Sequence, residues 1–152
     1  MSRVIKPLKI NNDKPDDKGY KQSTFFVTLN TNQADLSVDL LLEKWTYYYN
    51  HLPEFLNYRR AYDKLTVLEE MGKILDVEGE VSAEIGSKFG RVHLHAIIKI
   101  KHNTNLSIDF KRCREYFKSE LKVPDIHLHV DFIRSNEMTL KHYLLKNPAY
   151  RE

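Results

Sequence analysis

Residues 79–100 read GEVSAEIGSKFGRVHLHAIIKI, and the alternation of side chains in this stretch decides the fold. Before the loop, apolar residues at 81, 83 and 85 alternate with polar residues at 80, 82 and 84. After the loop, one face carries Val92, Leu94, Ala96 and Ile98, and the other carries Arg91, His93 and His95. Alternation with a period of two is typical of a strand with one buried face. Because Gly86 and Gly90 bracket the loop, the stretch predicts a β-hairpin.

The same alternation occurs twice more, in STFFVTLNTN at 23–32 and in DIHLHVDF at 125–132. Apolar residues at helical spacing predict helices at 35–52, 107–121 and 135–146, with Asp35 or Ser37 capping the first and Ser135 the last. Residues 54–76 indicate further helix, or helix plus loop. We therefore expect an α+β fold, in which a central antiparallel sheet of about five strands carries helices mainly on one face.

Composition and length bound the class of protein. The chain has 152 residues, of which 41% are apolar and 30% charged, which is typical of a soluble globular protein. We expect residues 1–22, which mix Lys, Asp, Asn and Pro, to form a flexible N-terminal arm, and residues 23–152 to form a single domain. No apolar run reaches the roughly 18 residues of a membrane span. The net charge of +3 permits nucleic-acid binding without requiring it.

Two histidines on the predicted hairpin suggest a metal site. His93 and His95 project from the same side of one strand, and Glu84 lies opposite His93 if the hairpin pairs in register. Two imidazoles and a carboxylate suit a divalent transition metal or Mg²⁺, and three ligands leave open positions for a Lewis acid to act. The competing interpretation is that these histidines are ordinary surface residues.

A second histidine pair forms a rival site. Asp125, His127, His129 and Asp131 share one face of the last predicted strand. Alternate residues on a strand lie about 6.6 Å apart, which spreads these four groups too widely for one ion. We therefore favour the site of Glu84, His93 and His95.

The last predicted helix offers a nucleophile. Tyr143 and Lys146 lie three positions apart, on one helical face. A phenol that attacks a phosphodiester gives a covalent phosphotyrosine, and a lysine can neutralise phosphate charge. The alternatives are that Tyr143 packs in the core and that Lys146 is solvated.

Taken in order, FFVTLNTN, Glu84 with His93-Leu94-His95, and the YLLK motif at 143–146 resemble the HUH endonucleases. The resemblance is to the rolling-circle replication initiator (Rep) nuclease domains of small DNA viruses and plasmids, whose fold is a relative of the ferredoxin-like fold. It spans about residues 24–147. The segment at 33–75 is longer than in the smallest viral Rep domains.

The resemblance implies roles for individual residues. His93, His95 and Glu84 would bind Mn²⁺ or Mg²⁺, Tyr143 would be the nucleophile, and Lys146 its helix partner. Thr28 and Asn30 match the motif that lies near the DNA in that family. The implied reaction is site-specific nicking and rejoining of single-stranded DNA through a 5′-phosphotyrosine, which initiates rolling-circle replication.

The expected partners follow from that reaction. Lys88 and Arg91, in the hairpin loop, can neutralise phosphates of single-stranded DNA, and an origin stem-loop is the expected target. A replicative helicase is an expected partner, and no Walker motif occurs in these 152 residues. The site of action would be the nucleus for a eukaryotic virus and the cytoplasm for a prokaryotic virus or plasmid.

Two alternatives stay open. One is a tyrosine transposase or relaxase of the same superfamily. In insertion-sequence transposases the helix tyrosine is usually paired with Gln, so Lys146 favours Rep. The other is a non-enzymatic module that binds single-stranded nucleic acid, with Phe26 and Phe132 as stacking residues.

Overall fold

A computed structural model describes residues 2–9, 20–55, 74–86, 89–103, 108, 110–134 and 137–146. The elements are, in chain order, β1 (Ser2–Lys9), β2 (Tyr20–Asn30), α1 (Val38–Asn50), α2 (Leu52–Phe55), β3 (Ile74–Ile85), β4 (Val92–Asn103), α3 (Lys111–Leu121), β5 (His127–Ile133) and α4 (Leu140–Lys146). The strands form one antiparallel sheet in the order β1-β3-β4-β2-β5. The predicted α+β class is confirmed.

The main core lies between one face of the sheet and helices α1 and α3. Strands β2, β3, β4 and β5 contribute the apolar half of their alternation, and the helices contribute a cluster of buried aromatic side chains around Trp45, Tyr48 and Phe117. Ser37 caps α1, because its hydroxyl oxygen accepts a hydrogen bond from the backbone N–H of Leu40 at 3.2 Å. Helices on this side leave the opposite face available for polar residues.

A second, smaller core lies on that opposite face. Phe26 of β2, Ile97 of β4 and Ile133 of β5 are buried there beneath Leu140, and Met138, Tyr143 and Leu144 pack beside them. Helix α4 therefore covers part of the polar face, and it brings Tyr143 with it.

Several boundaries differ from the sequence predictions. Residues 2–9 form β1, which pairs with β3, and Tyr20–Gln22 begin β2, so the expected flexible arm is wrong for these residues; residues 10–19 lie outside the described part. The register of β1 shifts between Ile5 and Leu8, around Pro7, which has no N–H to donate and is tolerated at an edge strand or bulge. Ile74–Asp76, expected to be helix or loop, begin β3.

The last helix also begins later than expected, at Leu140 rather than near Ser135. Ser135 lies outside the described residues. The hydroxyl of Thr139 accepts from the N–H of His142 at 3.2 Å, so this threonine performs the capping expected of Ser135.

Among the described helices, none is long and apolar enough to cross a membrane.

Candidate functional site

Three potential metal ligands converge on the β3–β4 hairpin. Glu84 lies directly opposite His93 in the ladder, which confirms the predicted register. One nitrogen from each of His93 and His95 and one carboxylate oxygen of Glu84 all lie within 4.8 Å of one another. Within the described part of the chain, this is the one group of three His, Cys, Asp or Glu side chains close enough to hold an ion.

The two imidazoles are buried while the carboxylate is half exposed. His93 and His95 are 5% and 2% exposed, whereas the side chain of Glu84 is 46% exposed. Nε2 of His93 donates to Oε1 of Glu84 at 3.1 Å. The buried imidazoles would hold an ion in a fixed position. Because Glu84 is exposed to solvent, a substrate can still reach the ion from the Glu84 side.

Neighbouring groups orient both imidazole rings. Nδ1 of His93 lies 3.4 Å from the carbonyl oxygen of Arg91, and Nδ1 of His95 lies 3.4 Å from the hydroxyl of Thr28. Both contacts are long, but they engage the same nitrogen of each ring. Such outer partners fix the ring orientation of metal-binding histidines and direct the other nitrogen toward the ion.

The donor set fits a divalent cation. Two neutral nitrogens and one carboxylate oxygen suit first-row metals, and the carboxylate adds affinity for Mg²⁺ and Mn²⁺. A carboxylate ligand also supplies a negative charge that compensates part of the charge of a cation. Glu84, His93 and His95 can therefore hold a metal ion.

Tyr143 stands over the same face of the sheet as the imidazoles. Its ring packs on Phe26 with centroids 4.2 Å apart, and Phe26 in turn stacks on His95 with centroids 5.6 Å apart and planes 14° from parallel. One buried aromatic ring thus separates the phenol ring from a metal-ligand candidate. Because Phe26 is fully buried, this spacing is set by the core rather than by a flexible loop.

Helix α4 is tied to the sheet by two acidic side chains. Oε2 of Glu80, on β3, accepts from the backbone N–H of Leu140 at 3.0 Å, at the start of the helix. Oδ2 of Asp131, on β5, accepts from the Tyr143 hydroxyl at 3.1 Å. The first contact satisfies an N–H that the helix itself leaves unpaired, and the second fixes the direction of the phenol.

The remaining predicted residues lie around this centre. Arg91 is exposed directly before β4, with its guanidinium 5.1 Å from the ring centroid of Phe89, which is 59% exposed. Asn30 lies in the row of His93, and its side-chain oxygen accepts from the N–H of Asn32 at 2.9 Å. Lys146 is exposed in the last turn of α4. Lys88 lies outside the described residues.

The rival histidine pair has a different arrangement. His127 and His129 are exposed on the edge strand β5, and Nε2 of His129 donates to Oδ1 of Asp131 at 2.8 Å. With Asp125, these side chains do not form a cluster of three ligand atoms within the range that the hairpin group reaches.

Sequence reasoning missed three residues of the site. Phe26 was expected only as a stacking surface for nucleic acid, which is wrong because it is fully buried; Phe132, at 62% exposed, remains accessible. Asp131 and Glu80 were assigned to the polar face, but their contacts with α4 were not foreseen. The alternation of side chains correctly assigned Asp131 and Glu80 to the polar face of the sheet. Their contacts could not be predicted, because these depend on the order of the strands and on where α4 packs.

Comparisons of this chain with protein-family models, with curated proteins and with solved structures return no match.

Proposed function

We propose that this chain is a metal-dependent endonuclease of the HUH type, which nicks and rejoins single-stranded DNA through a phosphotyrosine. The observation that carries the proposal is the combination on one face of the sheet. Glu84, His93 and His95 form a three-ligand cluster there, and Tyr143 packs one aromatic ring away.

Mn²⁺ or Mg²⁺ is the expected ion, because one carboxylate joins two imidazoles in the ligand set. When bound, the ion would act as a Lewis acid that neutralises charge on a phosphate oxygen. His93 and His95 would hold it at a fixed depth, since both rings are buried. Glu84, the exposed ligand, would face the substrate.

Tyr143 would supply the nucleophile. Its hydroxyl oxygen forms a bond to phosphorus, and the bond from phosphorus to the 3′ oxygen of the preceding nucleotide breaks. The products are a 5′-phosphotyrosine and a free 3′-hydroxyl. Because the phosphotyrosine retains a phosphodiester bond, attack by a 3′-hydroxyl reverses the step and rejoins the strand.

The rim of the hairpin supports contact with the DNA backbone. Arg91 and Phe89 form an exposed cation–aromatic pair two to four residues before His93. A guanidinium can bind phosphate while an exposed ring can stack on an unpaired base. Lys146 is also exposed and one turn after Tyr143, where it can neutralise a phosphate near the nucleophile.

The biological role that follows is initiation of rolling-circle replication at an origin stem-loop, with a helicase as partner. The proposed role in replication, rather than in transposition, follows from Lys146 as the helix partner of Tyr143, where a transposase usually has Gln. The target sequence separates the two, since an initiator cleaves an origin hairpin and a transposase cleaves transposon ends.

A selection for covalent adducts tests the chemistry and requires no defined origin sequence. Incubate the protein with Mn²⁺ and a pool of labelled single-stranded oligonucleotides of random sequence, and isolate complexes that survive boiling in detergent. We expect an adduct that EDTA prevents and that mass spectrometry locates on Tyr143. The released fragment should carry a 3′-hydroxyl that terminal transferase extends.

Two tyrosine variants provide the comparison. Tyr143→Phe keeps the ring that packs on Phe26 and should abolish the adduct. Tyr47→Phe changes a tyrosine that is 51% exposed on α1, on the other side of the sheet, and should leave the adduct unchanged. An adduct that persists in Tyr143→Phe contradicts the assignment. DNA binding that ignores EDTA and yields no adduct favours the non-enzymatic module.

A further inference from the structure

Asp131 bridges the candidate nucleophile and a histidine. One carboxylate oxygen, Oδ2, accepts from the Tyr143 hydroxyl at 3.1 Å, and the other, Oδ1, accepts from Nε2 of His129 at 2.8 Å. An ionised carboxylate only accepts hydrogen bonds, so the proton of each contact belongs to the phenol and to the imidazole. Tyr143, Asp131 and His129 therefore form a chain of three polar groups.

The fold brings this chain together from separate elements. His129 and Asp131 are alternate residues on β5 and share a face, and Asp131 lies opposite Phe26 in the β2–β5 ladder. Tyr143 packs on the ring of Phe26, so its hydroxyl reaches across to the strand next to β2. The position of the carboxylate relative to the phenol is thus determined by one backbone register.

Solvent reaches Asp131 and His129, at the outer end of this series of hydrogen-bonded groups. The side chain of Asp131 is 30% exposed and that of His129 is 62% exposed, whereas the ring contacts of Tyr143 are with buried Phe26. A proton accepted by Asp131 can consequently leave to water. His129 holds the second oxygen and so fixes the plane of the carboxylate, which keeps Oδ2 directed at the phenol.

We propose that Asp131 is the general base for Tyr143, an inference that rests on the proposed nickase function. As the phenol oxygen bonds to phosphorus, its proton moves to Oδ2 of Asp131. The 3′ oxygen departs with the electron pair of the broken bond and takes a proton from water. The proton on Asp131 then neutralises the hydroxide, so no net proton is consumed. In rejoining, the steps run in reverse: Asp131 takes a proton from water, the resulting hydroxide accepts the proton of the attacking 3′-hydroxyl, and Asp131 passes its proton to the departing phenol oxygen.

Single-turnover kinetics with an oligonucleotide recovered from the adduct selection test this role. Asp131→Asn keeps the size and an accepting oxygen but takes up no proton, and we expect adduct formation to slow about 100-fold at saturating DNA and Mn²⁺. The affinities for DNA and Mn²⁺ should stay within about twofold. His127→Gln changes an exposed histidine on the same strand and face, and should leave the rate unchanged.

A second variant separates chemistry from structure. In Asp131→Ala, added formate can enter the space of the missing carboxylate, and the rate should rise with formate concentration. The assignment of Asp131 as the general base is overturned if Asp131→Asn forms the adduct as fast as the wild type or faster. It is also overturned if formate does not change the rate of adduct formation in Asp131→Ala. A wild type that forms no adduct with any oligonucleotide overturns the nickase itself, and the base with it.

Discussion

Replacing Glu84 by Gln should separate the metal site from the stability of the fold. Without an ion, Glu84 contributes one hydrogen bond to His93 from a side chain that is 46% exposed. Exposed ion pairs contribute about 0–1 kcal/mol, and Gln can still accept the bond, so Glu84→Gln should lose less than about 1 kcal/mol. With an ion present, the same substitution removes one of three ligands and its negative charge.

The size of the metal effect follows from mass action. At a free Mn²⁺ concentration of about 100 times Kd, binding adds about 2.7 kcal/mol to the free energy of unfolding. For a chain of 152 residues, that raises Tm by about 5–10 °C. Loss of an outer-shell partner already weakens metal binding by about 10- to 100-fold, so loss of a ligand should cost at least 100-fold. The gain then falls to about 0.4 kcal/mol, or about 1 °C.

Differential scanning fluorimetry across a Mn²⁺ titration measures both the Tm without the ion and the rise in Tm that Mn²⁺ produces. The matched control is Glu120→Gln, because Glu120 has a similar exposure of 43% and pairs with Lys44 at 3.3 Å, but lies on α3, across the sheet from the imidazoles. We expect this control to keep the full Mn²⁺ shift. A full shift in Glu84→Gln, or a lost shift in Glu120→Gln, would refute the assignment of Glu84 as a ligand.

Three further outcomes follow from packing and charge. Gly79→Ala should lower the free energy of unfolding, measured in urea, by about 1–3 kcal/mol, because the added Cβ would lie 2.8 Å from Cε2 of buried Tyr49. An equal loss in a Tyr49→Leu background would contradict this explanation. Burial raises the pKa of the Cys113 thiol to about 12, from 9.0, so the folded state keeps a proton that the unfolded state loses above pH 9. Stability should fall by about 1.4 kcal/mol more between pH 7 and 10 than in Cys113→Ala, and equal slopes would argue against burial as the cause. Glu80→Ala removes the acceptor for the Leu140 N–H, so hydrogen exchange in α4 should quicken and adduct formation slow while the Mn²⁺ shift is kept; unchanged exchange would show that other contacts hold the helix.

Local patterns predicted that the three potential metal ligands would lie close together. A hairpin with a short loop fixes its own register, and so Glu84 could be placed opposite His93 from the sequence alone. Alternation also assigned His93 and His95 to the face away from the main core. The choice between surface histidines and a ligand cluster needed the structure, because it depends on burial.

Non-local pairing set the limit of sequence reasoning. Nothing in the period of β2 or β5 reveals that these strands are neighbours, and the contact of Asp131 with Tyr143 depends on that order. The strand β1 was missed because the polar residues 11–19 that follow it dominate the composition of residues 1–22, while the pairing of an edge strand needs only its backbone. The late start of α4 reflects capping by Thr139 rather than by a residue four positions earlier.

The two halves of the proposed chemistry rest on elements of unequal stiffness. The strand that carries both imidazoles is bonded to a neighbour along each edge, so the spacing of its ligands cannot change unless a ladder opens. Tyr143 rides on a helix of seven residues, held by one small patch and by two carboxylates. A DNA end joined to that phenol would therefore move together with helix α4, while a cation bound by the sheet residues would keep its position.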